Sequence, residues 1–241
     1  QKNLDCEMKF KQVIYILCIS CSLLVDFKSL NAASLVNGND LALSIRNTIP
    51  SENNSIAASM EVTLKNRKRI NTSLTIETKL LSQDEFITTY ISAPPNNTTW
   101  KIKRKIREKN KYQIQPEKNN SEKNIYIGLA NSSFTLADLG LEFLHWPIQK
   151  TIRKQRRKSR LCNVLESKPI KQASEEYSRV LSWIDEKSGA IIAADFFDLN
   201  NNLFKKFSVK GLTKIKGLWQ VDELEMRDYK NGTKSRLKLR Y

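Results

Sequence analysis

The sequence predicts a mainly β protein of the α+β class, in which a curled antiparallel sheet holds short helices in its concave face. Apolar and polar residues alternate with a period of two over many segments, and turn signals separate these segments at the spacing of β-hairpins. Helical periodicity is confined to two short stretches. The chain has 241 residues, of which 40% are apolar, so it can form one large β domain with a substantial core.

The first 32 residues have the layout of a secretory signal peptide. Basic residues follow Met8, the apolar run Val13–Val25 comes next, and a short polar region leads to a cleavage site near Ala32 or Ala33. Such an apolar run spans only ~20 Å as a helix, against a hydrocarbon core of ~30 Å, which disfavours a membrane anchor. We therefore expect residues 1–32 to be removed, and residues 1–7 to precede the true start of the protein.

An alternative for this segment is lipid attachment at Cys21, although Cys18 stands where such sites usually have leucine. In either case residues 33–241 are expected to form a single domain.

Cys162 is the only cysteine in that range, so an internal disulfide is excluded and stability must come from packing. Its apolar neighbours on a predicted strand favour a buried, inert thiol.

A capped amphipathic helix is predicted next. Asn39 and Asp40 precede the sequence LALSIRN, and Pro50 ends the helix after about ten residues.

The remaining chain is predicted to be mostly strands. In the segment 70–80, Leu74 and Ile76 share one face with two threonines, while polar residues occupy the other face. Residues 177–241 are expected to form an antiparallel meander, and Asn231–Gly232 is a type I′ turn signal. The predicted strands lie near 55–65, 69–81, 85–92, 98–107, 112–115, 124–130, 148–155, 160–167, 177–185, 190–198, 203–215, 218–229 and 233–241.

One apolar segment interrupts these strands. Residues 134–147, FTLADLGLEFLHWP, contain a Thr135–Asp138 capping box that predicts a helix over 136–144, and Pro147 prevents its continuation. The segment is apolar on more than one side, which is typical of a helix enclosed by other structure. We call residues 134–147 the lid, because they are expected to cover the concave face of the sheet.

The lid and the sheet together suggest a binding groove. About ten antiparallel strands form a sheet ~48 Å wide, which tends to curl with its apolar face inward. Two short helices leave a residual apolar groove, although complete filling by side chains remains an alternative. The candidate groove residues are Leu136, Leu139, Phe143 and Trp146 from the lid and Trp100, Tyr126 and Trp183 from the sheet. The sequence does not determine which strand face is concave.

The chain is strongly basic, with 41 Lys and Arg against 25 Asp and Glu, a net charge of +16. Two runs contain much of this excess. We call Lys101, Lys103, Lys105 and Arg107 the first basic cluster, and Arg156, Arg157 and Lys158 the second basic cluster. Each is either a binding surface for an anionic partner or a solvated strand face or turn, and the solvated interpretation is favoured.

The residues that usually carry catalysis are scarce. His145 is the only histidine, and with a single cysteine outside the signal segment it gives no ligand spacing for a metal. No phosphate-binding glycine loop or dinucleotide motif is present, and the paired acids fit polar strand positions. We therefore expect no catalytic residues, no metal, no cofactor and no enzymatic activity.

Several motifs resemble bacterial outer-membrane lipoprotein-sorting proteins of the LolA-like superfamily, over about residues 35–241. These motifs are ADLGLEFLHWP in the lid, CNVLES at 162–167, YSRVLSWID at 177–185 and KGLWQ at 216–220. The resemblance implies an unclosed antiparallel half-barrel with helices in its concavity. It also implies a periplasmic location and shielding of lipoprotein acyl chains during transport.

These observations lead to a function and an alternative. The function is a periplasmic carrier or chaperone for lipoproteins or other hydrophobic cargo, with Leu136–Trp146 as a gate held by apolar contacts only. Its expected partners are acyl chains or other lipids, a membrane surface and inner-membrane release machinery. The alternative is a basic module that binds lipid headgroups, lipopolysaccharide or nucleic acid, although secretion makes a nucleic-acid partner unexpected.

Overall fold

The computed structural model describes residues 35–94, 97–116, 125–170, 177–215 and 217–241. The predicted signal peptide lies outside these residues. The elements in chain order are α1 Gly38–Arg46, β1 Asn54–Thr63, β2 Arg69–Leu80, β3 Glu85–Ser92, β4 Thr99–Lys105, β5 Lys111–Gln115, α2 Leu136–Leu139, β6 Ile148–Arg157, β7 Arg160–Lys168, β8 Arg179–Asp185, β9 Ile191–Phe197, β10 Leu203–Ile215, β11 Leu218–Asp228 and β12 Thr233–Arg240. No helix in the described ranges has the length and apolar character needed to cross a membrane.

The twelve strands of the described residues form one curled, unclosed antiparallel sheet, so the predicted fold class is confirmed. The strand order is β5-β4-β3-β2-β1-β12-β11-β10-β9-β8-β7-β6. Two meanders, β1–β5 and β6–β12, therefore join through the pairing of β1 with β12. β5 and β6 are left as the two edges, and the crossover between them carries the lid from one edge of the sheet to the other.

The alternating pattern predicted for residues 70–80 is confirmed. Thr72, Leu74, Ile76 and Thr78 are buried, and the residues between them are exposed or half-buried. The apolar members of this face belong to one large core together with residues of α1 and the lid. The face that carries this core is the concave face.

Helix α1 lies against the edge strand β6. Its N-cap is Asn37, whose side chain accepts from the backbone N–H groups of Asn39 and Asp40. A Cβ atom on Gly38 would stand only 2.5 Å from the carbonyl oxygen of Gln149, so the helix can approach β6 this closely only with glycine. The predicted helix is therefore confirmed, and it begins one residue before the predicted cap.

The predicted strand at 124–130 is wrong. Its described residues form short 3₁₀ turns, including Leu129–Asn131. Ala130 and Asn131 have positive φ angles of 49° and 59°, which interrupt an extended backbone. Leu129 is fully buried, so its apolar character comes from the crossover packing against the core and not from a strand.

The lid helix is shorter than predicted. The Thr135–Asp138 capping box forms, but α2 ends at Leu139, and Leu141 has a φ of 55° before a 3₁₀ turn at Glu142–His145. An Arg104 guanidinium nitrogen donates to the carbonyl of Leu139 at 2.8 Å, and Asn110 Nδ2 donates to that of Gly140 at 2.7 Å. The sheet therefore binds the carbonyls that a longer helix would use internally.

The predicted type I′ turn at Asn231–Gly232 is also wrong. Asp228 pairs with Thr233, so the loop has four residues, 229–232, and not two. The Asp228 carboxylate accepts hydrogen bonds from the backbone N–H and the side chain of Asn231. These bonds favour the longer turn, in which Gly232 has a φ of +64°.

Replacing Leu139 by alanine is expected to lower the free energy of unfolding by about 2–5 kcal/mol, because its side chain is fully buried beneath the sheet. Leu161→Ala is the matched control: Leu161 is 41% exposed, and the change there should stay within about 0.5 kcal/mol. Urea unfolding of both variants measures this difference. Equal losses in the two variants would show that the lid is not part of the core.

Candidate functional site

The concave interior brings together most of the predicted groove residues. Tyr126 is half-buried and packs against the core cluster, and the other members are buried within it. The six are Leu136, Leu139, Phe143, Trp146, Trp100 and Tyr126.

Trp183 lies apart from these six residues. It belongs to a separate cluster on the outer face of β7–β9, with Cys162 and Val164 among its members. Its indole N–H donates to Gln155 Oε1 at 3.1 Å, and the Arg157 guanidinium lies 4.0 Å from its ring centroid. Trp183 therefore does not line the interior.

Among the described residues, the space under the lid is nearly filled. A cavity there, lined by residues including Phe134, Asp138 and Phe207, has a volume of about 10 Å³. A cavity of this size holds about one water molecule at most, so it has no room for an acyl chain. The residual groove expected from the sequence is therefore not open at this place, and cargo could enter only if the lid moved.

The lid is held by polar contacts as well as apolar ones, which corrects the expectation of a purely apolar attachment. On the β5 side, the Tyr112 hydroxyl donates to Glu142 Oε2 at 2.5 Å, and burial together with this carboxylate raises the pKa of Tyr112. On the β6 side, Gln149 Nε2 donates to the carbonyls of Phe143 and Trp146, both at 2.9 Å. Both edges of the sheet thus hold the lid in place.

A buried ion pair forms the central contact between lid and sheet. Lys205 Nζ lies 2.7 Å from Asp138 Oδ2, and the two side chains are 4% and 2% exposed. The Tyr177 hydroxyl donates to Asp138 Oδ1 at 2.8 Å and lies 3.1 Å from Lys205 Nζ. The backbone N–H of Thr135 also donates to Asp138 Oδ2 at 3.0 Å. The Asp138 carboxylate is therefore fully engaged, as a buried charge requires.

A β-bulge places Lys205 in the interior. The pairing of β10 with β9 shifts between Leu203 and Lys205, which adds one residue to β10. Both Phe204 and its neighbour Lys205 are buried as a result, where regular alternation would place one of them on the outer face. Bulges commonly redirect a side chain in this way.

Aromatic rings surround this ion pair. Tyr177 makes ring contacts with Tyr126, Phe196, Phe204 and Trp146 at centroid distances of 5.8, 5.2, 5.4 and 6.5 Å. The Lys205 ammonium lies 5.4 Å from the Tyr177 centroid and 5.8 Å from that of Phe196. These distances allow cation–π attraction. Composition and periodicity gave no indication of this charged centre.

His145, at the end of the lid, is surrounded by cations. Burial lowers the pKa of His145 to about 3, assisted by the positive charges of Arg46, Arg104 and Lys109. The imidazole is therefore neutral at physiological pH. Within the described residues, no group of three or more His, Cys, Asp or Glu side chains could hold a metal ion. Burial also raises the pKa of the Cys162 thiol to about 11.

The first basic cluster lies on β4 and in the turn that follows it. Lys103 pairs with Glu85 at 2.9 Å, and Lys105 pairs with Glu108 at 2.6 Å. The backbone N–H of Arg107 donates to Asn47 Oδ1. Lys101 alternates with the inward-facing Trp100 and Ile102, so it lies on the outer face.

The second basic cluster lies at the tip of the β6–β7 hairpin. Arg157 is 3.9 Å from Asp195, Lys158 donates to the carbonyl of Val209, and Arg156 is exposed. Nine strands separate β4 from β6 along the sheet. The sheet therefore does not join the two clusters into one basic strip.

Comparisons with known proteins indicate a family and a fold. A family model described as "Uncharacterized protein" matches residues 96–241, which is more than half of the chain. No curated protein matches the chain by sequence.

Similar solved structures include the following three. A DUF1329 family protein from Desulfovibrio piger has a TM-score of 0.70 at 18% identity, covering 84% of this chain and 90% of that one. A putative outer membrane lipoprotein-sorting protein domain from Vibrio parahaemolyticus has a TM-score of 0.62 at 15% identity, covering 78% and 83%. A LolA superfamily protein from Nitrosomonas europaea has a TM-score of 0.59 at 16% identity, covering 86% and 92%. The LolA-like fold that the sequence motifs predict is thus confirmed.

The ion pair can be tested by a double-mutant cycle. Lys205→Met and Asp138→Asn are each expected to lower the free energy of unfolding by about 3–5 kcal/mol, because each leaves one buried charge uncompensated. The double variant removes both charges, so it should lose less than the sum of the two single losses. Urea unfolding measures all four proteins, and strictly additive losses would contradict the coupling.

The low pKa of His145 predicts a pH dependence of stability. In the unfolded chain, His145 binds a proton below about pH 6.5. In the folded protein, its pKa of about 3 keeps the imidazole neutral at the same pH. The free energy of unfolding therefore falls as the pH is lowered from about 6.5 toward about 3. Between pH 7 and pH 5 this loss should be about 1–2 kcal/mol. His145→Gln should make the decline shallower by that amount, as measured by urea unfolding at each pH. Parallel profiles for variant and wild type would contradict the assignment.

Proposed function

We propose that this chain, which belongs to the family matched over residues 96–241 and has the LolA-like fold, is a non-enzymatic carrier of lipoprotein acyl chains or similar hydrophobic cargo. It works in the periplasm after export by its signal peptide, and it exchanges cargo with a membrane surface or release machinery. The similarity of its fold to a putative lipoprotein-sorting domain supports this proposal.

One observation carries the proposal. The lid fills the interior of a sheet whose edge strands, β5 and β6, are not paired with each other. Withdrawal of the lid therefore breaks no hydrogen bond of the strand ladder and leaves a channel lined by the β-sheet, apolar for the most part but with Lys205 in it. A closed barrel filled by its own strands could not open in this way.

The energies of the two occupants are similar. A sixteen-carbon acyl chain contributes about 12 kcal/mol of burial, at ~0.8 kcal/mol per methylene. The lid supplies seven large buried side chains: Phe134, Leu136, Leu139, Leu141, Phe143, Leu144 and Trp146. At about 1.5–3 kcal/mol each, their exposure costs roughly 10–20 kcal/mol, a range that includes the acyl-chain figure. Exchange of lid for cargo is therefore close to balance, which suits a carrier that must also release what it binds.

The alternative, a basic surface module, has weaker support. Its strongest elements are the two basic clusters, but several of their side chains already pair with carboxylates. Glu85, Glu108 and Asp195 neutralise part of their charge. The strand order also separates the two clusters.

Binding of an acylated peptide tests the carrier proposal. The palmitoylated peptide should bind, the same peptide without the acyl group should not, and the affinity should change little between about 50 and about 500 mM salt. Fluorescence anisotropy of a labelled peptide measures both. Equal binding of the two peptides would remove acyl recognition, and a steep loss with salt would favour the basic-surface alternative.

A variant of the lid attachment adds a structural control. Arg104→Met removes the hydrogen bond to the Leu139 carbonyl and should speed uptake of the acylated peptide. Arg156→Met makes the same chemical change at an exposed arginine and should leave the uptake rate unchanged.

Native mass spectrometry of protein purified from its own periplasm identifies the lipid or lipoprotein that accompanies it.

A further inference from the structure

The ion pair joins two bodies that must separate when the lid moves. Asp138 belongs to the lid, where its carboxylate and backbone complete the capping box with Thr135. Lys205 belongs to β10 of the sheet. It pairs with Phe196 of β9 on one side and with Asp228 of β11 on the other. Tyr177 packs on Phe196 of the sheet. Withdrawal of the lid therefore removes the carboxylate and leaves the ammonium and the phenol behind.

A purely apolar cargo cannot replace what the lid supplies. Lys205 Nζ would remain beside the rings of Tyr177 and Phe196, in the space that the cargo fills. A buried ammonium without a counter-ion is strongly unfavourable. Loading by a neutral chain would thus cost the pairing energy, whereas a cargo with its own anion would restore it.

We propose that the concave face binds an acyl chain with an anionic head group, a carboxylate or a phosphate, which replaces the Asp138 carboxylate on Lys205 and Tyr177. This inference rests on the proposed carrier function and names the class of cargo. In the closed state Asp138 occupies the place of the head group, with Lys205 Nζ at 2.7 Å and the Tyr177 hydroxyl at 2.8 Å. Two converging donors of this kind suit the oxygens of a carboxylate or phosphate.

The position of Lys205 along its strand fits a head group near the mouth of the sheet. Lys205 is the third residue of β10, which begins at Leu203. At ~3.3 Å per residue it lies about 7 Å from the start of that strand. The turn before it, including Asn200 and Asn201, is exposed. The head group can thus reach solvent at this end while the acyl chain lies along the concave face in place of the lid.

Matched single-chain lipids test this inference on the full chain. Oleic acid, oleyl phosphate, oleyl alcohol and oleylamine share one hydrocarbon tail and differ in head-group charge. Displacement of the neutral dye N-phenyl-1-naphthylamine measures their binding. The two anions should bind about tenfold or more tightly than the alcohol, and the amine should bind more weakly than the alcohol. Comparison of the two anions distinguishes a fatty-acid carboxylate from a phospholipid phosphate.

Variants of the ion pair test whether the preference for anionic lipids arises at Lys205. Asp138→Asn removes the competing carboxylate, so the anions should bind more tightly while the affinity for oleyl alcohol changes less. The double variant Lys205→Met with Asp138→Asn has no buried charge at this place and should bind anion and alcohol equally. Lys206→Met is the matched control, because Lys206 lies on the outer face, 3.9 Å from Asp195, and its loss should leave the preference unchanged.

The possible failures are distinguishable. If anion and alcohol bind the wild-type protein equally, the head-group inference is overturned and the carrier proposal stands. If none of the four lipids binds but the palmitoylated peptide does, the head-group inference is overturned and the carrier proposal stands; if the peptide fails to bind as well, the carrier proposal itself is overturned. A preference for anions that survives in the double variant would show that the head group binds elsewhere than at Lys205.

Discussion

The contact between Asp138 and Lys205 is the constraint on which the arrangement of this molecule depends. Apolar packing holds the lid in the curled sheet, but it has no direction, and many positions of the lid would bury a similar area. The ion pair has a direction, because its two charges are buried and each needs the other within hydrogen-bond distance. Together with Arg104 on β4 and Gln149 on β6, which bind lid carbonyls, it determines where the lid sits.

In the proposed carrier, the same constraint lets an interior that is filled by the lid become available for a ligand. The unpaired edges β5 and β6 let the sheet open without loss of strand pairing, so resistance to opening comes mainly from the contacts of the lid. The lid buries about as much apolar surface as an acyl chain would, and it also makes a small number of polar contacts with the sheet. The polar bonds are therefore the part of the balance that differs between one cargo and another.

The sequence predicted most of the sheet because its signals are local. Alternation over residues 70–80 and the Thr135–Asp138 capping box depend on neighbouring residues, and both appear in the structure. Two features depend on distant partners and were not predicted. Arg104 and Asn110 end the lid helix from across the fold, and the bulge that turns Lys205 inward depends on the register of β10 against β9. Trp183 was placed on the wrong face because β8 has apolar residues on both faces, so alternation alone does not decide.

In the function that we propose, fold and cargo preference are set by different residues. The curled sheet and its lid follow from apolar positions distributed along the whole chain. Many sequences can satisfy this pattern even if they differ at nearly every side chain. The charged centre follows from individual residues: an aspartate within the lid, a lysine at a bulge, and a tyrosine that packs beside both. If the proposed anionic cargo is correct, a relative with the same sheet but with apolar residues at these positions would keep the fold and lose the preference for an anion. For this reason the identity of the cargo must be sought in the residues at positions 138, 177 and 205 and not in the fold alone.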